Sequence, residues 1–454
     1  MLIPVAVLAG FFLGLALMAY WCKIRLPRFL FQLCQSRVVL ENSNLLQKLT
    51  YRDGFESLLR ADTGQSIDRP FGTSQHFFDW DRLQFNPVFL TGRPLTDATA
   101  VATEVVLGPR AKKPLRLAIP ILIGGMSYGN ALSLAAKIAL AKAATLAGTA
   151  ANTGNGPFLD EERYFAKSLV LQLSRGFWSK SPAILAQADL IEIALGHGAW
   201  GSAPVRIDGY KINHAFAVRL GTIRGLDALI QSSRPETRDY QSLKSYIREL
   251  KRITGGVPIG VKFGATHYLE AELELIIESG ADVVIFDGLE GGTHASPVII
   301  QDHAGLPLFP ALCRAVRYLQ EINQFGKISL VVGGGLVNPG DFLKCLALGA
   351  DAAIIGTIAV LAMSHTQVIK AFPWEPPTGL VYHLGKDEMK FNPETGAENL
   401  GKFLGSCLRE MQLAMGAMGK RSLQELSSAD LVALDPLYAR IAGVQYLSER
   451  SRSV

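Results

Sequence analysis

The sequence predicts an α/β protein, a (β/α)8 TIM barrel with an N-terminal transmembrane helix and helical N- and C-terminal extensions. Three observations carry this. From Leu117 onward, short β-rich apolar runs alternate with helix-like segments, the order of a parallel sheet with crossover helices. Eight runs can be counted: Ile119–Ile123, Thr149–Asn152, Leu169–Leu173, Leu190–Leu195, Ile259–Phe263, Val283–Asp287, Leu330–Val332 and Ala353–Ile355. Finally, ISLVVGGGLVNPGDFLKCLALGADAAIIGT, from Ile328 to Thr357, has the form of the last two barrel strands, where phosphates commonly bind.

In that stretch an apolar strand runs into Gly333, Gly334 and Gly335, and a helix follows, opened by Pro339 with Asn338 as its cap. The second strand ends on Gly356-Thr357. Glycine allows a ligand close to the backbone, and a helix N-terminus offers unpaired N–H groups to a phosphate. A flavin mononucleotide (FMN) is the first candidate. The alternative is a βαβ unit whose glycines only make tight turns.

The other elements follow in chain order. Leu2 to Cys22 carries no charged side chain, long enough for a membrane-spanning helix, and Lys23, Arg25, Arg28 and Arg37 follow it. The expectation is a single-pass protein of the cell membrane with its catalytic part cytoplasmic; a signal peptide and a buried core helix are the rivals. Phe29 to about Leu117 reads as a helical linker and a layer packed on the barrel. Helix-like segments lie at Ala131–Ala147, Tyr268–Ser279 and Asp341–Leu348, and Ala228–Gln231 is either a ninth strand or part of an insertion. In the tail, Leu400, Phe403, Leu404, Cys407, Leu408, Met411 and Met415 form one apolar helix face, the pattern of a packing helix. The expected boundaries are 1–25 for the anchor, 26–116 for the linker layer, 117–372 for the barrel and 373–454 for the C-terminal helical extension.

Composition narrows the function. The chain has 454 residues, 49% apolar and 19% charged, which suits a large buried core. Its net charge of +5 is spread out with no basic run interleaved with aromatics, so nucleic acid is not an expected partner. The five cysteines, Cys22, Cys34, Cys313, Cys345 and Cys407, show no close metal-ligand spacing. No disulfide framework, metal site or iron–sulfur cluster is expected.

Chemistry in such barrels gathers at the C-terminal ends of the strands. Those ends supply Gly124-Gly125-Met126-Ser127, Asn152-Thr153-Gly154, Gln172, Glu192, Lys262 and the loop from Asp287 to His294. Asn152, Thr153 and Gln172 match the donors and acceptors of a pyrimidine edge, although Asn-Thr-Gly is also an ordinary turn. Lys262 ends a strongly apolar strand, where an unpaired ammonium is costly. It either pairs with a buried carboxylate or faces an anionic ligand. Beside a flavin it would stabilise the negative charge that develops on reduction. Glu290 and His294 are acid–base candidates; His197 and His303 read as structural or surface residues. Gly196, Gly198 and Gly201 fit G-x-G-x-x-G, but Pro204 and Val205 follow where that fingerprint needs a helix.

These pieces together resemble a known family, the FMN-binding synthase domain of glutamate synthase, from about Pro120 to Gly419. PILIGGMSYGNALS, GTAANTGNGPF, QLSRGFW, IEIALGHGAWG, PIGVKFG and DGLEGGTHASP carry the likeness, which is greatest to short stand-alone members with an N-terminal membrane segment and an RPFGT-type motif (Arg69 to Thr73). The resemblance implies FMN, with Gly125, Met126, Ser127, Asn152, Thr153, Gln172 and Lys262 near the ring. Gly334, Gly335, Gly356 and Thr357 would then lie at the phosphate. Departures are present too. A glutaminase half is not expected before the barrel, and the region from Ile358 lacks the cysteines that hold the family's cluster. Ala194 and Trp200 replace lysines of the family's EIK and GAKPG segments, and His294 replaces the glycine of GGTGASP. The expected activity is a glutamate synthase-type FMN oxidoreductase acting on a keto or imino acid, with NAD(P)H, ferredoxin or a quinone as electron donor. The alternative is a flavin-binding regulatory or electron-transfer module without that turnover.

Overall fold

The computed structural model describes residues 18–28, 37–367 and 375–449. They fall into two compact units, one ending at Ile67 and one beginning at Asp68. The first contains helices Arg37–Lys48 and Tyr51–Thr63. Thr50 opens the latter, its hydroxyl accepting from the Asp53 N–H at 3.1 Å, and Gly64 ends it at φ +62°.

The membrane assignment is corrected here. Among the described residues no helix is long and apolar enough to cross a membrane. Residues 2–17 of the expected span lie outside the described residues. The helical stretch from Met18 to Arg28 is short and already carries Lys23, Arg25 and Arg28. The single-pass reading therefore does not stand.

The second unit is built on an eight-stranded parallel sheet. Its strands are β1 (Ile121–Ile123), β2 (Ala151–Asn152), β3 (Leu169–Leu173), β4 (Leu190–Ala194), β5 (Ile259–Gly264), β6 (Val283–Asp287), β7 (Ser329–Gly333) and β8 (Ala352–Ile355). Every run predicted from sequence is a strand, displaced by at most two residues at either end. From β2 to β8 each strand pairs with its chain neighbours and β8 pairs with β1, the topology of a (β/α)8 barrel. Helices α1 (Leu134–Ala147), α2 (Asp160–Phe165), α3 (Pro182–Leu185), α4 (Tyr240–Thr254), α5 (Leu269–Glu278), α6 (Leu308–Glu321), α7 (Pro339–Ala347) and α8 (Thr357–Ser364) follow the strands in turn.

The barrel interior is layered. In a strand every second side chain faces the same way. Leu122, Val170, Leu190, Val283, Ile285 and Val331 form one buried cluster with Val105, Leu107, Leu115 and Leu117. Those last four belong to an antiparallel hairpin, Val105–Leu107 with Leu115–Leu117. It plugs the N-terminal end of the barrel, where the Gly108 N–H donates to the Ser329 hydroxyl at 3.0 Å. Two residues further along the same strands the apolar side chains give way to Gln172, Glu192 and Asp287, joined by Lys262. Ligands can therefore enter only from the C-terminal mouth.

Two further pieces complete this unit. Ala228–Ile230 pairs antiparallel with Val205–Ile207 outside the barrel, so that run belongs to an insertion between β4 and α4 rather than a ninth strand. The insertion has its own core, in which Val205, Ile207, Phe216 and Ile230 meet Tyr128 and Trp200. Helix α9 (Pro393–Ala417) buries Leu400, Leu404, Cys407, Met411 and Met415. It packs along α1, with Gly396 so close that an added Cβ would lie 3.3 Å from the Ala139 Cβ.

Neighbouring strands share a described ladder everywhere except between β1 and β2. At that seam the Thr149 hydroxyl donates to the Ile121 carbonyl at 2.6 Å. The larger tie is Lys137 on α1, fully buried. Its ammonium donates to the carbonyls of Met126 and Asn152, both at 2.8 Å, and Thr153 at 3.3 Å, and lies 2.8 Å from the Glu162 carboxylate on α2. Burial pushes the Glu162 carboxyl up against the opposing pull of Lys137. Lys137→Met leaves that carboxylate and the carbonyls buried without their cation, and should cost about 3–5 kcal/mol. Lys142→Met, on the same helix as Lys137 but in a surface pair with Glu394 of α9, should cost under about 1 kcal/mol. Urea unfolding of both variants checks this, and equal midpoints would show that Lys137 does not hold the seam.

Candidate active site

At the C-terminal mouth lies a cavity of about 1040 Å³, including the part open to solvent. Of the residues singled out in the sequence, Gly125, Met126, Ser127, Gln172, Lys262, His294, Gly334, Gly356 and Thr357 line it. Asn152, Thr153, Gly335 and Glu290 do not. Asn152 and Thr153 support the wall from behind: the Asn152 amide donates to Glu192 at 3.2 Å, and the Thr153 hydroxyl accepts from the Gln172 N–H at 2.9 Å. The β1 and β2 loops are pressed together. A Cβ on Gly154, at φ +68°, would stand 2.7 Å from the Ser127 nitrogen, so only glycine fits.

The inward side chains of β3 to β6 form one buried polar network. Lys262 Nζ lies 3.2 Å from Asp287 Oδ2. The Gln172 amide donates to Glu192, which also accepts from Asn152. Burial by itself would depress Lys262, but the charges of Asp287 and Glu192 outweigh it and hold the ammonium above its ordinary value. Burial raises the Glu192 carboxyl, with Lys262 opposing. Lys262 is paired with a buried carboxylate, one of its two readings from sequence, and it also lines the cavity.

The features expected for a flavin can be tested on the residues themselves. Gln172 Oε1 is buried without a partner, an acceptor on the cavity wall available to a ligand N–H. At the other end, Gly334 adopts φ +126°, and a Cβ there would lie 3.1 Å from the Gly288 nitrogen. Helix α8 begins at Thr357 with no side-chain cap, and a Cβ on Gly356 would meet open space. An uncapped N-terminus beside two glycine turns suits a phosphate. These residues fit FMN.

The far wall is built by the β4 and β6 loops and by segments that sequence reasoning had not placed there. His197 and Trp200 come from β4, and Thr293 and His294 from β6. The Trp200 indole N–H donates to the Thr293 hydroxyl at 3.1 Å. Burial holds His197 down at about 4 and His294 at about 3, so both imidazoles are neutral near pH 7. Phe71, at φ +70°, also reaches the cavity. Its N–H donates to the Thr293 carbonyl at 2.7 Å. Arg69 and Thr73 flank it, each 2.6 Å from Asp302 Oδ1. The RPFGT motif was visible in the sequence, but the partner that aims Phe71 lies more than two hundred residues away.

Glu290 has a different task. Its carboxylate accepts from the Leu308 N–H at 2.9 Å and so caps α6. Burial raises it from the usual 4.5 to about 7, although the N–H groups of Glu290 itself and Leu308 oppose the shift. The folded state therefore binds this proton more tightly than the unfolded chain does. Stability is fully present below pH 4.5 and declines as pH rises toward 7. Glu290→Gln removes that titration, and the decline over this window should shrink by an amount on the order of 3 kcal/mol. Urea unfolding at pH 5 and pH 7.5 measures it; parallel profiles for the two proteins would mean that Glu290 titrates normally.

Among the described residues no group of three or more His, Cys, Asp or Glu side chains is arranged to hold a metal ion. Comparison with known proteins adds the following. The family described as "Conserved region in glutamate synthase" matches residues 92–421. The "Glutamate synthase large subunit-like protein" of Rhizobium meliloti (strain 1021) is 35% identical over 408 residues, covering 85% of this chain and 91% of that one. The "Archaeal-type glutamate synthase [NADPH]" of Thermotoga neapolitana is 29% identical, over 81% of this chain and 76% of its own. Among solved structures, an active chimera of (S)-mandelate dehydrogenase superposes with a TM-score of 0.50 at 16% identity, over 78% of this chain and 88% of that one, a likeness of fold alone.

Proposed function

This chain belongs to the glutamate synthase family and is an FMN-dependent oxidoreductase, and on that premise we propose that it reduces an imino or keto acid at the mouth of its barrel. The observation that carries the reading is the cavity itself. It joins an uncapped helix N-terminus beside glycine turns to a buried ammonium, with an unsatisfied amide acceptor between them.

Gly334, Gly335, Gly356 and Thr357 would hold the phosphate, Gly335 through the shape of its turn rather than by facing the cavity. Gly125, Met126, Ser127 and Gln172 would face the ring, and Asn152 and Thr153 would keep them in place. Bound FMN supplies the reversible electron and hydride chemistry that no side chain here provides. Lys262 holds a fixed positive charge where negative charge develops, in a site shielded from water. Asp287 keeps that ammonium oriented and charged. His294, neutral and on the cavity wall, holds a proton or a lone pair for the substrate. The name of the Thermotoga relative specifies NADPH, which makes NADPH the first donor to try.

Purified protein should be yellow and release one FMN per chain on denaturation. NADPH should bleach it without air, and a keto acid with ammonia should restore the colour. Colour without reduction by any donor would favour a flavin-binding module instead, and colourless protein that takes up no added FMN would sink the reading.

Lys262→Met keeps the apolar stem and removes the charge. The flavin midpoint potential should fall, and turnover should drop by at least about 10²-fold, while FMN stays bound. A potentiometric titration beside the parent protein decides this. An unchanged potential would make Lys262 only the counter-charge of Asp287.

A further inference from the structure

Resting on the reading above, that this site handles a keto or imino acid, we propose that its substrate is a monocarboxylic 2-oxo or 2-amino acid with an apolar, uncharged side chain. Phe71, Trp200, Val205 and Ile230 supply large apolar side chains to the cavity lining. Val205 and Ile230 face each other across the antiparallel pair of the insertion. They belong to a buried apolar core that also contains Trp200.

The charges in the cavity agree. Among the described residues that line it, Lys262 is the single lysine or arginine and Asp287 the single carboxylate, 3.2 Å apart. Before any ligand enters, the lining is close to neutral. His197 and His294 add no charge near pH 7. Lys211 is close enough to oppose protonation of His294, but it does not line the cavity, and its ammonium sits over the Tyr210 ring. Arg175 is turned away too, donating to the carbonyls of Ser202, Ala203 and Ser232.

A buried carboxylate needs a cation or several donors. One substrate carboxylate can take the N–H groups of His197 and His294, while Lys262 serves Asp287 and the flavin. A second, at the end of a side chain, would find no further lysine or arginine in the lining, where Phe71, Trp200, Val205 and Ile230 carry no charge. An isobutyl or benzyl group fills the same space with favourable burial.

Calorimetric titration of the FMN-loaded protein with 4-methyl-2-oxopentanoate and with 2-oxoglutarate tests the proposal. The branched acid should bind at least about tenfold more tightly. Trp200→Lys places an ammonium in the apolar wall and should move the ratio toward 2-oxoglutarate. Equal or tighter binding of 2-oxoglutarate to the unaltered protein would overturn the substrate class while leaving the keto-acid reading intact. Binding of neither acid by a fully yellow protein would overturn both.

Discussion

Lys137 stands where a backbone ladder would otherwise close the barrel. β1 and β2 share no strand pairing, and β2 is only two residues long. A gap at that place would let the Gly125–Ser127 loop drift from the Asn152–Gly154 loop, and those loops form one wall of the cavity. A fully buried ammonium must find acceptors within the protein, and it finds them in carbonyls from both sides of the seam and in Glu162. The seam is thus held by charge-assisted bonds that α1 delivers from outside, instead of by strand pairing.

The barrel interior works as an axial gradient. Its closed end is sealed by leucines and valines shared with the hairpin at Val105–Leu117, so the interior there stays apolar. Its open end carries Gln172, Glu192, Lys262 and Asp287 at the next inward positions of the same strands. Low dielectric below and opposing charges above make each interaction at the mouth stronger than it would be in water. The same depth explains why the neighbouring imidazoles stay neutral.

The strand positions were legible because a buried parallel strand leaves a plain mark, a short apolar run between glycine and helix signals. The cavity positions of Gly334, Gly356 and Thr357 were legible for a similar reason, since glycine turns and helix starts are local backbone geometry. Glu290 misled because a carboxylate in a glycine-rich loop looks the same in sequence whether it meets a substrate or caps a helix that begins at Leu308. Lys137 carried a faint signal, a lysine on a helix face otherwise filled with alanine and leucine, but its meaning needed Glu162 and the carbonyls of two loops. The apolar run at the N-terminus was read as a span from its length, its lack of charge and its basic flank, and the described helices supply none long enough.

By itself the sequence determined the (β/α)8 order, the glycine turns after β7 and β8 and the buried lysine near the end of β5. Each is written in periodicity or in local backbone chemistry within one strand–turn–helix unit. Tertiary structure alone decided that Asp287 pairs with Lys262, that Asp302 holds Arg69 and so aims Phe71 into the cavity, and that an insertion lays Val205 and Ile230 over the mouth. Those are contacts between segments distant in the chain, and spacing along a sequence holds no information about which distant side chain completes a charge or a wall.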